Sequence, residues 1–358
     1  MATPRPTVVP LARSAERALT RVAAFPGFRA LAWDGDVLYA SYAYTLLRAR
    51  MTEPSINWEV ASYFRPAWWR NLSASTRLTS RLFGDGIHAL AILGSGHIVG
   101  AVPGAIITLA PGETEFRISH DLVRGARPLH ITATPDRRLF WGEHFDNPRV
   151  EEVHIYASED RGMSCEVAYT FPKGTIRNVQ NVVYDEWENC LWVLTGDDGA
   201  ECRIVRASCD FKQLDIVLSG NEQARAVALI PMKDALYFSS NTLSGSNRVY
   251  RLDRAGDLTE LASLSGSSLS GCQVGDSIFF STVVEPSDAS SGGNVYLYCS
   301  RGGQKWQRVL EWEKDYWPAA LFQHGKVLLP DGKNTTGLLA LATEGVKRGD
   351  LETTIWRV

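Results

Sequence analysis

Short apolar runs recur along the chain, separated by Gly-, Asp-, Asn- and Pro-containing turns. Each run is preceded by one strand-like run and followed by two more, so the runs come in groups of four. Alternation of apolar with polar residues is clearest in the fourth run of each group. A repeat of roughly 40–50 residues that contains four strands is typical of a β-propeller blade. The pattern predicts an all-β fold, a seven-bladed β-propeller of four-stranded antiparallel blades. The seven second-strand runs begin at Leu38, Ile98, Leu139, Leu191, Leu236, Ile278 and Val327.

The repeat also predicts the domain organisation. Residues 1–25 begin with a Pro-rich stretch and continue with a helix-favouring composition, so we interpret them as a leader or cover segment. Residues 26–358 are predicted to form a single propeller domain. The last run ends at Val358, so C-terminal chain could complete the final blade by itself unless residues 17–24 add a strand. An insertion over residues 65–85 is rich in aromatic and cationic residues.

Composition narrows the function classes. Of the 358 residues, 45% are hydrophobic and 22% are charged, which is enough apolar surface for a globular core. The net charge is −3 with no Lys/Arg block, which argues against nucleic acid and against an acidic membrane as partners. No signal-peptide or membrane-spanning stretch is visible, so a cytoplasmic location is expected. The six cysteines form no CxxC pair, and neither a metal site nor a cofactor is predicted.

The repeat predicts which polar residues lie close together in a functional site. In a four-stranded blade the start of the first strand and the end of the second lie at the same end of the ring, so polar groups there should share one mouth. Arg forks recognise carboxylates or phosphates, which favours an anionic ligand. The alternative is that these groups pair with one another and line a water-filled channel. First-strand starts supply Arg29, His88, Arg127, His130, Arg177, Gln180, Asn181 and Arg225, and second-strand ends supply Glu143, His144, Asp197, Asp198, Asn241 and Asp331.

A motif between third and fourth strands connects the chain to a known family. The stretch Ser158-Glu-Asp-Arg-Gly-Met-Ser-Cys165 resembles the Asp-box, Ser-x-Asp-x-Gly-x-Thr-Trp, with Cys165 in the Trp position. Residues 300–306 and 208–210 are fainter copies. Residues 27–358 thus resemble the sialidase-like, or BNR-repeat, propellers, and are most similar to bacterial BNR-repeat proteins of unknown activity. The resemblance makes six blades the alternative count.

The resemblance also implies roles for particular residues. Sialidases bind a sugar carboxylate with three arginines, and Phe28-Arg29 echoes the first of their motifs, with Arg177 and Arg225 as counterparts of the others. The bacterial proteins are associated with a His-Val-His pair where this chain has Asn178 and Gln180, which removes two reactive groups. Asp-boxes also occur in proteins that are not enzymes, so the motif indicates fold more than function.

Hydrolysis of a glycoside requires two carboxyl groups across the scissile bond, and Glu143 and Asp198 are the predicted pair. The leading prediction is therefore hydrolysis of an anionic carbohydrate. A non-catalytic glycan-binding or scaffold propeller is the alternative, and a lyase or isomerase that uses His130 or His144 as base is a third possibility. The predicted substrate-binding set comprises Arg29, His88, Arg127, His144, Arg177, Gln180, Asn181, Asp197, Arg225 and Asn241.

Overall fold

A computed structural model describes residues 19–52, 55–74, 76–125, 127–220, 222–242, 246–284, 293–317 and 324–358. The described chain begins with an outer strand of the largest sheet, β1 (Thr20–Pro26). It continues through the first blade, whose strands are β2 (Arg29–Gly35), β3 (Val37–Tyr42), β4 (Thr45–Arg50) and β5 (Glu59–Tyr63). Two short helices follow, α1 (Trp68–Ala74) and α2 (Arg77–Phe83).

Four further blades come next, each an antiparallel sheet whose strands are hydrogen-bonded in chain order. The second has β6 (Ala89–Ile92), β7 (Ile98–Val102), β8 (Ala105–Leu109) and β9 (Arg117–Asp121). The third has β10 (Thr132–Ala133), β11 (Leu139–Gly142), β12 (Val153–Ser158) and β13 (Glu166–Phe171). The fourth has β14 (Val179–Asp185), β15 (Cys190–Thr195), β16 (Arg203–Ala207) and β17 (Leu214–Ser219). The fifth has β18 (Ala226–Pro231), β19 (Ala235–Ser240), β20 (Arg248–Asp253) and β21 (Leu258–Ser263).

The remaining strands, with one exception, form a continuous eight-stranded sheet together with β1. They are β22 (Ser268–Val274), β23 (Ser277–Val284), β24 (Asn294–Arg301), β25 (Lys305–Glu313), β26 (Gly325–Leu328), β28 (Leu338–Glu344) and β29 (Glu352–Arg357). The exception is β27 (Asp331–Asn334), which pairs in parallel with the inner strand β2 of the first blade. Short 3-10 turns lie at Gly199–Glu201 and Glu222–Ala224.

The prediction of seven separate blades is wrong, and so is the six-bladed alternative. The described residues form five blade sheets and one eight-stranded sheet in place of the last two predicted blades. The two repeats merge because β23 runs on to Val284 and pairs with β26, with Val283 opposite Lys326 and Val284 opposite Gly325. The inner strand predicted over residues 318–322 lies outside the described residues. The coarser prediction, an all-β propeller, is confirmed.

The end of the chain is displaced by one strand relative to the predicted repeat. The run at Val327 belongs to β26, which pairs with β28, and β28 pairs with β29. The outer position beside β29 is taken by β1 through six residue pairs, from Thr20 opposite Arg357 to Pro26 opposite Glu352. Residues 20–24 therefore form a strand rather than a helix, because tertiary pairing overrides a weak local propensity. The two ends of the described chain close the ring.

The core lies between neighbouring sheets. Leu46 of the first blade packs with Ile107 of the second, and Trp192 of the fourth packs with Phe238 of the fifth. Trp33 of the first blade packs with strands of the eight-stranded sheet, so sheets are covered on both faces. Within the described ranges, neither helix is long and apolar enough to cross a membrane.

Candidate functional site

A cavity of about 270 Å³ lies where the first blade, the eight-stranded sheet and the two helices meet. One wall is the turn from β1 into β2, a second is the end of β3, and a third comes from β28 and the segment that follows it. The helices α1 and α2 border the opening. The polar groups that line the cavity are Arg29, Ser41, Thr76, Arg77, Ser80, Asp85, His88, Thr343, Glu344 and Asp350.

The backbone that presents Arg29 is held on both sides. Gly27 has φ of +80°, and a Cβ at this position would lie 2.8 Å from the ring of Tyr42, so the turn requires glycine. The Thr353 hydroxyl accepts from the Ala30 amide at 2.9 Å and donates to the Phe28 carbonyl at 2.8 Å. The turn therefore fixes the direction in which Arg29 leaves the sheet.

Three cations gather around the carboxylate of Glu344, which is only 4% exposed. Lys326 Nζ lies 3.2 Å and Arg29 Nη1 lies 3.8 Å from Glu344 Oε2. Arg127 approaches from the third blade and donates to the Gly84 carbonyl at 2.9 Å. Two further carboxylates of this region are already engaged: Asp350 pairs with Arg77 at 2.6 Å, and Asp85 has a fully buried side chain. Its partners are Arg70 at 2.9 Å, the Tyr44 hydroxyl at 2.7 Å and the Ser73 hydroxyl.

The titration behaviour reflects this excess of positive charge. Burial lowers the pKa of Arg127 to about 10, and repulsion from Arg29 adds to the effect. Burial also lowers the pKa of Lys326. Glu344 attracts the ammonium group and raises this pKa, but it does not compensate for burial because Arg29 and Arg127 repel the same group. Burial alone would raise the pKa of Glu344, but the cations, led by Lys326, bring it below its ordinary value. The cluster is therefore electropositive around an ionised carboxylate.

His88 lies beside this cluster as a neutral imidazole. Burial, followed by repulsion from Arg127 and Arg29, holds the pKa of His88 well below its ordinary value. Its Nε2 donates to the Gly84 carbonyl at 2.5 Å, so the unprotonated Nδ1 is an acceptor. That Nδ1 atom is buried and has no hydrogen-bond partner among the residues that the structure describes.

A second polar cluster centres on Asp197, after β15. The carboxylate accepts from Asn178 at 2.7 Å and Gln180 at 2.8 Å, and Arg225 lies 3.9 Å away. Arg225 also donates to the backbone carbonyl of Asn241. The sequence-predicted residues Gln180, Asp197, Arg225 and Asn241 are thus brought together. Within the described residues, Arg225 Nε and Asn241 Oδ1 are buried without a hydrogen-bond partner.

The predicted histidines lie between these groups. His130 Nδ1 is 2.9 Å from Asp331 Oδ2, which links the third blade to β27. Burial lowers the pKa of His130, but Asp331 more than offsets this, and the net pKa is raised. The pKa of His144 is lowered by burial, against the attraction of Asp197 and with repulsion from His130.

Two other predicted residues have local partners. The Arg177 guanidinium lies 3.0 Å from Glu201, and the Asn181 amide donates to the Val227 carbonyl at 2.9 Å. Both contacts are to the fourth or fifth blade rather than to the cavity at Arg29.

The predicted catalytic pair occupies two unlike environments. Glu143 is buried and accepts from Arg124 at 3.1 Å and 2.5 Å, from the His154 amide at 2.8 Å and from the Tyr156 hydroxyl at 3.4 Å. Asp198 is exposed and immediately precedes the 3-10 turn Gly199–Glu201. Neither residue lines the 270 Å³ cavity.

A cluster with metal-ligand chemistry has protein partners instead. The ligand atoms of Asp185, Glu188 and Cys190 lie within 4.8 Å of one another. Asp185 is bound by Arg254 and by the Trp192 indole at 2.9 Å, and Arg254 lies 3.5 Å from Glu188. The arginine thus supplies the positive charge that a cation would bring.

Sequence reasoning missed Lys326 and Glu344. Lys326 is the second residue of β26 and Glu344 is the last residue of β28, so both lie near the strand ends that produced the other candidates. They were overlooked because the last repeat was displaced by one strand.

Comparison with solved structures supports the fold. The chain aligns with a chain of the mitotic checkpoint complex at 10% identity, covering 99% of each, with a TM-score of 0.57. It aligns with the WD40 β-propeller domain of Doa1 at 10% identity, covering 95% of this chain and 97% of that one, with a TM-score of 0.56. It aligns with a GH74 enzyme from Niastella koreensis at 14% identity, covering 82% of this chain and 47% of that one, with a TM-score of 0.51.

These similarities define the chain as a β-propeller and, at such low identity, show the fold alone. No protein-family model and no curated protein sequence matches the chain.

Proposed function

We propose that this propeller binds an anionic carbohydrate, or a small anion of similar shape, in the cavity at Arg29, and that it does so without cleaving it. The observation that carries the proposal is the charge imbalance around Glu344. Arg29 and Lys326 contact the single carboxylate of Glu344, and Arg127 acts on it from further away. Buried cations are costly unless they are paired. An anionic group at the cavity would complete the pairing.

The cavity walls suit a sugar-sized ligand. Its volume of about 270 Å³ is close to the lower end of the range for small-molecule sites, roughly 300–1,000 Å³. Phe28 and Tyr42 provide apolar and aromatic surface, and Ser80 and Thr76 provide hydroxyl groups. The Nδ1 atom of His88 could accept a hydrogen bond from a ligand hydroxyl.

The sialidase-like resemblance supports a carbohydrate as the class of ligand. In the turn between β12 and β13, Asp160 accepts from the Ser164 amide at 2.8 Å and from the Ser158 hydroxyl at 2.9 Å. An Asp that ties down this turn is what the Asp-box resemblance implies. The GH74 neighbour is named as an enzyme of a glycoside hydrolase class, which is compatible with a carbohydrate site on this fold.

The geometry favours binding over hydrolysis by Glu143 and Asp198. Both Glu143 oxygens accept hydrogen bonds from Arg124, whereas a general acid must carry a proton toward the leaving group. Asp198 is exposed, away from the cavity lining.

A ligand panel tests the proposal. Calorimetric titrations should use uronic acids, sialic acids and sugar phosphates, with the matching neutral sugars as controls, and the same mixtures should be assayed for cleavage. We expect binding of at least one acidic sugar, weaker binding of its neutral counterpart and no turnover. Turnover that is lost in Glu143→Gln would replace binding with hydrolysis as the function. Absence of binding by every acidic sugar would refute the proposal.

A further inference from the structure

The helical insert between β5 and β6 buries polar residues and exposes apolar ones, which is the reverse of an ordinary surface helix. In α1 the buried residue is Ser73, and in α2 it is Arg81. The apolar residues Leu78, Leu82 and Phe83 of α2 are instead 49%, 46% and 53% exposed. A surface helix normally turns its apolar stripe toward the core.

Polar contacts beneath the insert hold this orientation. The Arg81 guanidinium is fully buried, bonds to Asp315, lies 3.7 Å from Asp350 and stacks 4.9 Å from the Trp317 ring centroid. Under α1, the Ser73 hydroxyl donates a hydrogen bond to the buried carboxylate of Asp85. Because these buried groups would lose their partners if the helices rolled over, the apolar side is fixed outward.

Six large apolar side chains of the two helices are exposed. We call the surface that they form the insert face and define it by Trp68, Trp69, Leu72, Leu78, Leu82 and Phe83, with Tyr316 beside it. Trp68 is 78% exposed, Leu72 is 66% exposed and Tyr316 is 85% exposed. Contiguous exposed apolar patches on soluble proteins mark interaction sites.

The exposed charges of the insert itself are positive. Residues 65–84 contain four arginines and no acidic residue. Arg77 stays 52% exposed, whereas its partner Asp350 is 3% exposed, and Arg70 is 28% exposed above the fully buried Asp85. The cationic groups thus face outward while these carboxylates lie underneath.

Further charges surround the patch. Arg65 is 70% exposed and pairs with Glu115, and Lys347 packs on the Tyr316 ring and pairs with Glu313. Arg348 is exposed as well. The exposed acids of this rim, Glu115 and Glu313, are therefore each neutralised by a cation.

We propose that the insert face docks the protein on an anionic lipid surface. Exposed Trp, Leu and Phe beside arginines are the composition of helices that lie in a membrane interface. A second copy of the chain fits less well, because a two-fold contact would oppose the same cationic rim to itself. This inference revises the sequence-based expectation of no membrane partner, and it is independent of the proposed ligand.

Vesicle co-sedimentation of the full chain tests it. Vesicles of phosphatidylcholine alone are compared with vesicles that also contain phosphatidylserine, at low and high salt. We expect partition onto the mixed vesicles, less onto the neutral ones, and a decrease with salt because exposed charges are screened. The double substitution Trp68→Gln, Leu82→Gln should reduce partition by about tenfold or more, since two large apolar side chains are removed.

The matched control is Ile216→Gln, which replaces a 55% exposed apolar residue on the outer strand β17. It should leave partition unchanged, and all variants should keep the wild-type melting temperature. The proposal is overturned if wild-type protein ignores both vesicle types, or if the double variant partitions as wild type does. Self-association that the double variant abolishes, without lipid partition, would assign the insert face to a second copy.

Discussion

Lys326 illustrates, at the scale of one residue, how a buried cation can oppose folding. Its pKa lies below the ordinary 10.5, chiefly because it is buried and also because Arg29 and Arg127 repel it. Folding therefore disfavours the protonated side chain. The cost is present at neutral pH. It begins to decrease as pH rises through the depressed pKa of the folded state, and it is gone above the ordinary pKa of 10.5.

We predict that Lys326→Met melts at a temperature no lower than wild type at neutral pH. The apolar side chain removes the buried cation, and Glu344 keeps Arg29 as a partner. The advantage of the variant should shrink as pH rises toward 10.5, because wild-type Lys326 then becomes neutral. Thermal unfolding at several pH values measures this. A much lower melting temperature for the variant, equal at all pH values, would show that Lys326 is a net stabilising partner.

The residue scale also shows what sequence could supply. Arg29, His88 and Arg127 were predicted at one mouth of the ring. Arg29 and His88 line the cavity, and both His88 and Arg127 donate to the carbonyl of Gly84, which also lines it. The sequence could not predict which partner each charged side chain contacts. Whether an Arg faces a ligand or a buried carboxylate, as Arg124 faces Glu143, depends on side-chain partners from other strands.

At the scale of elements, most strands follow from the repeat. The runs at Leu38, Ile98 and Leu191 lie in β3, β7 and β15, each the second strand of its sheet. The run at Val327 lies in β26 instead. Local periodicity cannot reveal that β1 pairs with β29 across more than 300 residues, and this pairing displaces the last repeat.

The helical insert supplies a test at the same scale. Arg81→Met should lower the free energy of unfolding of the insert by about 3 kcal/mol, because the buried Asp315 loses its closest cation. Asp350 keeps Arg77 at 2.6 Å as a partner. Chymotrypsin, which does not require the lost arginine, should then cut within residues 65–84 faster than in wild type.

The control for this test is Arg21→Met. It breaks the pair with Glu352, in which the Arg side chain is 50% exposed, and such surface pairs contribute less than about 1 kcal/mol. Equal cleavage rates in Arg81→Met and Arg21→Met would mean that the buried pair does not hold the insert in place.

At the scale of the whole molecule, the cavity lies at the seam where the ring closes. Its walls include Gly27, just after β1, Glu344 at the end of β28, and Leu351, just before β29. A ligand there would contact the first blade and the eight-stranded sheet together. Because ligand that binds the closed ring stabilises the folded state, it should raise the melting temperature of the whole propeller. The sequence indicated a polar mouth, but the seam depends on long-range closure.

The most direct measurement of the central claim is the affinity of the best acidic sugar for two arginine variants. Arg29→Met removes a cation from the cavity wall, and Arg48→Met removes one from the same blade, where Arg48 is 52% exposed and pairs with Glu59. We predict that Arg29→Met weakens binding by about tenfold or more, as expected for a lost charged hydrogen bond, and that Arg48→Met matches wild type. Equal affinities for all three proteins would contradict an anion site at Arg29.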